Sequence, residues 1–97
     1  MAAYVISEVE VLDERSADEY RKRALASITE YGGRYLVRGV PPDVVEGAGT
    51  SRRIVIVEFP SMTRVREWYA SPAYAEALRF RPSALERRLM FVEGSPP

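Results

Sequence analysis

The segment from Arg52 to Phe59, RRIVIVEF, contains four consecutive β-branched aliphatic residues, and it constrains the fold more than any other part of the sequence. Such residues favour an extended strand, whose successive side chains point to opposite faces of a sheet. Ile54 and Ile56 therefore lie on one face, and Val55 and Val57 on the other. A strand that is apolar on both faces needs cover on both sides.

Three other segments are predicted to be strands. Tyr4 to Val11 (YVISEVEV) is rich in β-branched and aromatic residues and forms strand one. Arg34 to Val40 forms strand two, and Val44 to Glu46 resumes it after two prolines, which cannot donate to a sheet. Leu89 to Glu93 forms strand four, ahead of a tail from Gly94 to Pro97.

Two helical regions are predicted between these strands. The tetrad SADE has the form of a capping box, which predicts a helix from Ser16 to Tyr31 that ends at Gly32-Gly33. Serine residues at N-cap positions predict a broken second helix, over Ser61 to Ala70 and Pro72 to Arg79. Ser83 to Glu86 is then able to cap one further turn.

The resulting order, β-α-β-β-α-β, predicts an α+β fold with ferredoxin-like topology: a four-stranded antiparallel sheet with two helices on one face. We expect one domain over residues 1–97, with its core in residues 4–94. The helices cover one face of the sheet, but strands three and four are apolar on the other face as well. Soluble proteins avoid an exposed apolar patch of this size, so the sequence predicts a homodimer. A monomer with a partly apolar sheet is the alternative.

The composition excludes several classes of chemistry. The chain has no Cys and no His, which excludes thiol nucleophiles, iron–sulfur clusters and the commonest general base and haem ligand. A metal would need oxygen ligands only, and no suitable spacing is present, so we expect no metal and no cofactor. Fourteen basic residues balance fourteen acidic ones, which predicts no nucleic-acid partner. The absence of a long apolar run and of a signal-like start predicts a cytoplasmic protein with no membrane partner.

Four segments together resemble one family of small bacterial proteins, the domain of unknown function DUF1330. They are Glu30 to Gly39, Val57 to Ser61, Trp68 to Tyr74 and Val92 to Gly94. The resemblance covers Tyr4 to Gly94 and implies a dimeric α+β barrel. That superfamily includes cofactor-independent monooxygenases and muconolactone isomerases. The resemblance implies the fold and dimerisation, and it does not supply a reaction.

The chain departs from the family pattern in two places. Members commonly carry Gly-Gly where this chain has Gly39-Val40, followed by a loop with fewer prolines. The segment Phe80 to Ser83 contains a proline where the helix usually continues. We therefore expect the loop after strand two and the exit of the second helix to differ, together with any pocket that they line.

Aromatic residues of the helical regions are the main candidates for a ligand-binding pocket. Helices packed on a sheet gather rings around a cleft, where tyrosine hydroxyls orient a carbonyl or act as weak acids. Core packing explains the same rings equally well. The candidates are Tyr20, Tyr31, Trp68, Tyr69 and Tyr74.

Charged candidates lie beside them. Glu58 stands in an apolar strand; buried alone it would be a general base, but we favour a structural pair with Arg34 or Arg38. Tyr31-Gly32-Gly33-Arg34 offers N–H groups beside a cation, although a helix C-cap is the simpler interpretation. A late basic cluster would suit an acidic metabolite, but a solvated end of the domain is simpler. Its members are Arg79, Arg81, Arg87 and Arg88.

Two functions remain open from the sequence. The first is a homodimer that binds a small organic ligand, with cofactor-independent isomerase or monooxygenase chemistry as its catalytic version. The second is a non-catalytic module for dimerisation or protein interaction, which the apolar sheet and the missing reactive residues favour.

Overall fold

A computed structural model describes residues 1–96; the last residue of the predicted tail, Pro97, lies outside the described residues. The predicted β-α-β-β-α-β order is confirmed, with the second helical region divided into α2, α3 and α4. None of the helices in the described part is long and apolar enough to cross a membrane. The elements are β1 (Ala3–Val11), α1 (Glu14–Glu30), β2 (Arg34–Val40), β3 (Arg53–Phe59), α2 (Met62–Tyr69), α3 (Pro72–Leu78), α4 (Arg81–Ala84) and β4 (Leu85–Glu93).

The four strands form one antiparallel sheet in the order β2-β3-β1-β4, which is the ferredoxin-like arrangement. The pairing of β2 with β3 is irregular between Tyr35 and Val37 and again between Arg38 and Val40. The predicted resumption of β2 at Val44 to Glu46 is wrong. After Pro41-Pro42 the chain leaves the sheet, and Val45 is 87% exposed.

The first helix begins earlier than the capping box predicts. Asp13, and not Ser16, is the N-cap residue: its carboxylate accepts a hydrogen bond from the Ser16 backbone N–H at 2.9 Å. This bond lowers the pKa of Asp13, because it stabilises the charged form. The helix ends as predicted beside Gly32, whose φ of 80° suits glycine at a helix C-terminus.

The last strand is longer than the sequence analysis predicts, since β4 begins at Leu85 and not at Leu89. The short helix α4 ends at Ala84, whose carbonyl accepts from the backbone N–H of Leu12 at 2.9 Å. Leu85 then pairs with Val11 at the end of β1. Glu86, Arg87 and Arg88 therefore belong to the sheet, although three consecutive charged residues are unusual for a strand.

The two faces of the sheet differ in their surroundings. The inner face packs against the helices, and its residues Val5, Val57 and Phe59 are buried in the core with Ala24 and Ile28 of α1. The outer face carries no helix. One row of it is apolar across all four strands and only partly buried. This outer row consists of Val37, Ile56, Ile6 and Met90.

The close approach of α1 to β3 gives a test of the fold. A Cβ atom on Gly33 would lie 2.8 Å from the side chains of Ile28 and Phe59, both of which are buried. Gly33→Ala should lower the free energy of unfolding by about 1–3 kcal/mol, measured by urea denaturation, because the core must shift. Gly49→Ala, where nothing lies within 4 Å, is the control and should change it by less than about 0.5 kcal/mol. Equal effects at the two positions would contradict the packing described.

Candidate functional site

A cavity of about 380 Å³ lies between the inner face of the sheet and helix α1. This volume is within the range of small-molecule sites, roughly 300–1,000 Å³. Most of its wall is apolar, with Val5, Val9 and Val55 on the sheet side and Ile28 and Trp68 on the helix side. The cavity is therefore suited to a largely apolar organic molecule.

The register of the sheet places three arginine residues on the wall of this cavity. Val9 of β1 pairs with Arg53 of β3 on one side and with Arg87 of β4 on the other. One step along the strands, Arg38 of β2 pairs with Val55. Residues directly opposite each other share a face of the sheet, so all three guanidinium groups project from the inner face.

Arg87 joins two tyrosine side chains in what we call the tyrosine–arginine cluster: Tyr20, Tyr74 and Arg87. The two hydroxyl oxygens lie 2.5 Å apart, and the guanidinium donates to Tyr20 at 2.7 Å and to Tyr74 at 2.8 Å. Tyr20 comes from α1, Tyr74 from α3 and Arg87 from β4, so the cluster ties three elements together. Within the described chain no carboxylate lies within 4.0 Å of Arg87. The charge is thus held by neutral partners.

Burial dominates the electrostatics of this cluster. It raises the pKa of Tyr74 far above the usual value, and that of Tyr20 as well, despite the opposing effect of the nearby Arg87 charge. Burial lowers the pKa of Arg87, but the two tyrosine hydroxyls together outweigh it, so the pKa of Arg87 is raised. At neutral pH the cluster therefore holds two neutral phenols and one cation.

The tyrosine–arginine cluster has more hydrogen-bond donors than its internal hydrogen bonds use. A guanidinium has five N–H donors, and two of those of Arg87 are engaged by the tyrosines, which leaves three. In the hydrogen bond between the two hydroxyls, one donates its proton and the other accepts, and either can be the donor. When Tyr74 donates it, the hydroxyl proton of Tyr20, which lines the cavity, is free for a ligand.

Ser7 adds an unpartnered polar atom to the wall of the same cavity. Ser7 is buried, with only 4% of its surface exposed. Among the buried side-chain nitrogen and oxygen atoms in residues 1–96, only its Oγ lacks a hydrogen-bond partner. Ser27, on the helix side, is fully engaged: its Oγ donates to the Ala24 carbonyl at 2.9 Å and accepts from Trp68 Nε1 at 3.0 Å. Buried polar groups are nearly always hydrogen-bonded, so Ser7 needs a partner that the described chain does not supply.

The cavity brings together four of the predicted site residues. Tyr20, Arg38 and Trp68 line it, and Tyr74 lies directly behind Tyr20 in the cluster. The Trp68 ring packs on that of Tyr74, with centroids 4.2 Å apart.

The other four predicted site residues lie outside the cavity. Glu58 pairs with Arg34 at 2.8 Å on the outer face of the sheet, where Tyr4 also donates to it. Tyr31 lies beneath the guanidinium of Arg64, 5.0 Å from its ring centroid. Tyr69 is 42% exposed and packs edge-on against Phe91.

Sequence reasoning missed Ser7, Arg53 and the position of Arg87. Ser7 is the one polar residue among Val5, Val9 and Val11 on the inner face of β1, a visible signal of a polar group aimed inward. The sequence pattern begins strand four at Leu89, four residues after its actual start at Leu85, and so leaves Arg87 in a solvated cluster outside the sheet.

The buried tyrosines predict how stability depends on pH. The pKa values of Tyr20, Tyr35 and Tyr74 are all raised by burial above the ordinary value of 10.0. The unfolded chain thus loses these protons first, so the free energy of unfolding should be insensitive to them below about pH 10 and fall above it. Urea denaturation at a series of pH values should show this fall.

The double variant Tyr20→Phe/Tyr74→Phe should show a shallower fall, because two of the three responsible groups are gone. Tyr69→Phe, which leaves the tyrosine–arginine cluster intact, is the control and should keep the wild-type slope. Stability that rises through pH 10–11 in the wild type would contradict the assignment.

Several solved protein structures have folds similar to that of this chain. A protein of unknown function from Rhodopseudomonas palustris is 18% identical, with a TM-score of 0.80 over 99% of this chain and 84% of that one. SnoaB from Streptomyces nogalater, described as a cofactor-independent oxygenase, is 10% identical, with a TM-score of 0.68 over 99% of this chain and 95% of that one. A dimeric ferredoxin-like protein of unknown function from Bacteroides fragilis is 12% identical, with a TM-score of 0.63 over 96% of each chain.

A family profile identifies the family of this chain. No curated protein matches the chain significantly. Residues 2–95 match the profile of a family described as a domain of unknown function, DUF1330. This match spans nearly the whole chain, so the protein belongs to the DUF1330 family, with the ferredoxin-like fold that the sequence analysis predicts.

Proposed function

We propose that this protein is a homodimer that binds one small, largely apolar organic molecule per chain, with an acidic hydroxyl group, in the cavity between sheet and α1. The observation that carries the proposal is the unpartnered Oγ of Ser7 in the wall of a 380 Å³ cavity that Arg87 also lines. An apolar cavity with a few convergent polar groups is the usual form of a ligand site.

The polar groups suit an oxygen atom that carries negative charge. Arg87 keeps three N–H donors, Tyr20 offers its hydroxyl proton, and Ser7 either donates or accepts. Ser7 lies two residues from Val9, the partner of Arg87, and hence roughly 7 Å along β1. A phenolate or enolate oxygen in this region is stabilised by donors that are already in place.

Chemistry without a cofactor is the catalytic version of the proposal. Isomerases and oxygenases of this kind begin when the substrate hydroxyl gives up its proton to water. The resulting anion is then either protonated at a different carbon or passes an electron to O₂. A guanidinium beside a bound phenol or enol lowers the pKa of its hydroxyl and so favours that anion. The likeness in fold to SnoaB, described as a cofactor-independent oxygenase, is consistent with this version.

Dimerisation is supported by the outer face of the sheet. The outer row of Val37, Ile56, Ile6 and Met90 is apolar and uncovered in the single chain. Solved proteins of similar fold from Bacteroides fragilis and Thermobifida fusca are described as dimeric. A second copy that packs its own outer row on this one removes both from water.

Ser7→Ala separates a binding role from a structural one. Removal of a buried, unpartnered hydroxyl should leave the free energy of unfolding unchanged or slightly higher. The affinity for naphthol, measured by the fluorescence of the single tryptophan, Trp68, in the cavity wall, should fall about fivefold, because one hydrogen bond is lost.

The matched control is Ser83→Ala, since the Ser83 hydroxyl is exposed and lies outside the cavity. It should leave the affinity unchanged. Unchanged binding in Ser7→Ala, or no binding of naphthols and hydroxyquinones to the wild type at millimolar concentration, would contradict the proposal.

The outer row provides the test of the dimer. Ile56→Lys places a charge in the middle of the row and should convert a dimer to a monomer in sedimentation velocity at micromolar concentration. Val45→Lys, at an 87% exposed position in the loop after β2, is the control and should remain dimeric. A stable, folded wild-type monomer would remove this part of the proposal.

A non-catalytic interaction module is the second candidate, and the same outer row favours it. A partner protein of another sequence would then cover the apolar face. A stoichiometric partner in a pull-down from native lysate, lost in Ile56→Lys but kept in Ser7→Ala, supports this candidate over the ligand-binding one.

A further inference from the structure

We infer that the ligand of the cavity carries a carboxylate, bound by Arg38 and Arg53 at the end of the cavity formed by β2 and β3. The inference rests on the proposed function, because it names the substrate class of the same site. It adds a second anion subsite to the one at Arg87. The ligand would be an organic acid with an apolar body and an acidic hydroxyl at the opposite end.

The first support is the charge of the cavity wall. Four arginine residues line it, Arg21, Arg38, Arg53 and Arg87, against the single carboxylate of Glu14. Arg21 pairs with Glu14 at 3.6 Å and with Asp18 at 2.9 Å, so its charge is balanced locally on α1. The other three guanidinium groups have no carboxylate within 4.0 Å in residues 1–96.

The second support is that Arg38 and Arg53, both exposed at the mouth of the cavity, have partners that do not neutralise their charges. The Arg38 guanidinium lies over the Tyr35 ring, 4.5 Å from its centroid. Arg53 donates from Nη1 to the Gly39 carbonyl at 3.2 Å. Each contact occupies a face or one donor of the guanidinium and leaves the others free. A planar fork of N–H donors matches a carboxylate well.

The third support is the spacing between the two subsites. Arg53 and Arg87 flank Val9 on neighbouring strands, so their Cα atoms are two strand spacings apart, roughly 10 Å. Val9 lies between them, and Ser7 and Val55 form the next row of the same wall. Two fused aromatic rings that carry a hydroxyl at one end and a carboxylate at the other span a comparable length once these groups are counted. The hydroxyl can then meet Arg87 while the carboxylate meets Arg53 and Arg38.

The test compares two probes that differ only in the carboxylate: naphthol, and a hydroxynaphthoate whose two groups lie at opposite ends of the rings. Binding is followed by Trp68 fluorescence and by calorimetry. Wild type should bind the hydroxynaphthoate about tenfold more tightly than naphthol. Arg38→Gln/Arg53→Gln should reduce the ratio of the two affinities to about one, and Arg38→Lys/Arg53→Lys should restore part of the preference.

Arg15→Gln/Arg66→Gln, which removes the same two charges, is the control for net charge, since both residues are exposed, lie outside the cavity and take part in no ion pair in residues 1–96. It should keep the tenfold preference. If naphthol binds but the carboxylate adds nothing, or if the preference survives in the double glutamine variant, this inference fails and the proposed function stands. If neither probe binds, both fail.

Discussion

The antiparallel register of β1 with its two neighbours is the constraint on which the rest of the structure depends. Because side chains alternate along a strand, one register decides every residue of both faces. It places Arg53, Val9 and Arg87 in one inner row, and Ile56, Ile6 and Met90 in one outer row. If the pairing shifted by one residue, the residues of the two faces would exchange places. Charged side chains of the outer face would then lie against the helices, and core valines would be exposed.

The inner face then combines two costs that a purely structural core would avoid. A partly buried guanidinium is held by phenols and not by a carboxylate, and a serine hydroxyl is buried without a partner in residues 1–96. Each lowers the free energy of unfolding relative to an apolar replacement. Both lie on the wall of one cavity, which is the pattern expected where stability is given up for binding.

The order of elements, the sheet and most boundaries can be predicted from local signals such as the RRIVIVEF run, the serine N-caps and Gly32-Gly33. A boundary that depends on a tertiary contact cannot be predicted in this way. Leu85 joins the sheet because Val11 is available to pair with it, and no local propensity reveals this. The late start predicted for strand four therefore leaves Arg87 out of the candidate site.

Ser7 and Arg53 can be recognised as site residues only from the register of the sheet, which brings residues from distant segments into neighbouring rows. The fold also separates two of the aromatic candidates on α1. Tyr20 faces the cavity, whereas Tyr31 lies at the C-terminal end of the helix and does not line it.

The central claim is that the cavity stabilises an anion, and the ionisation of a bound ligand tests it most directly. An apolar cavity alone raises the pKa of a bound naphthol hydroxyl, whereas Arg87 and its neighbours lower it. The absorbance of the naphtholate, followed during a pH titration of the wild-type complex, measures which effect dominates. We predict a pKa for the bound hydroxyl below that of the free molecule, reverting upward in Arg87→Met. A bound pKa equal to or above the free value in the wild-type protein would contradict the account.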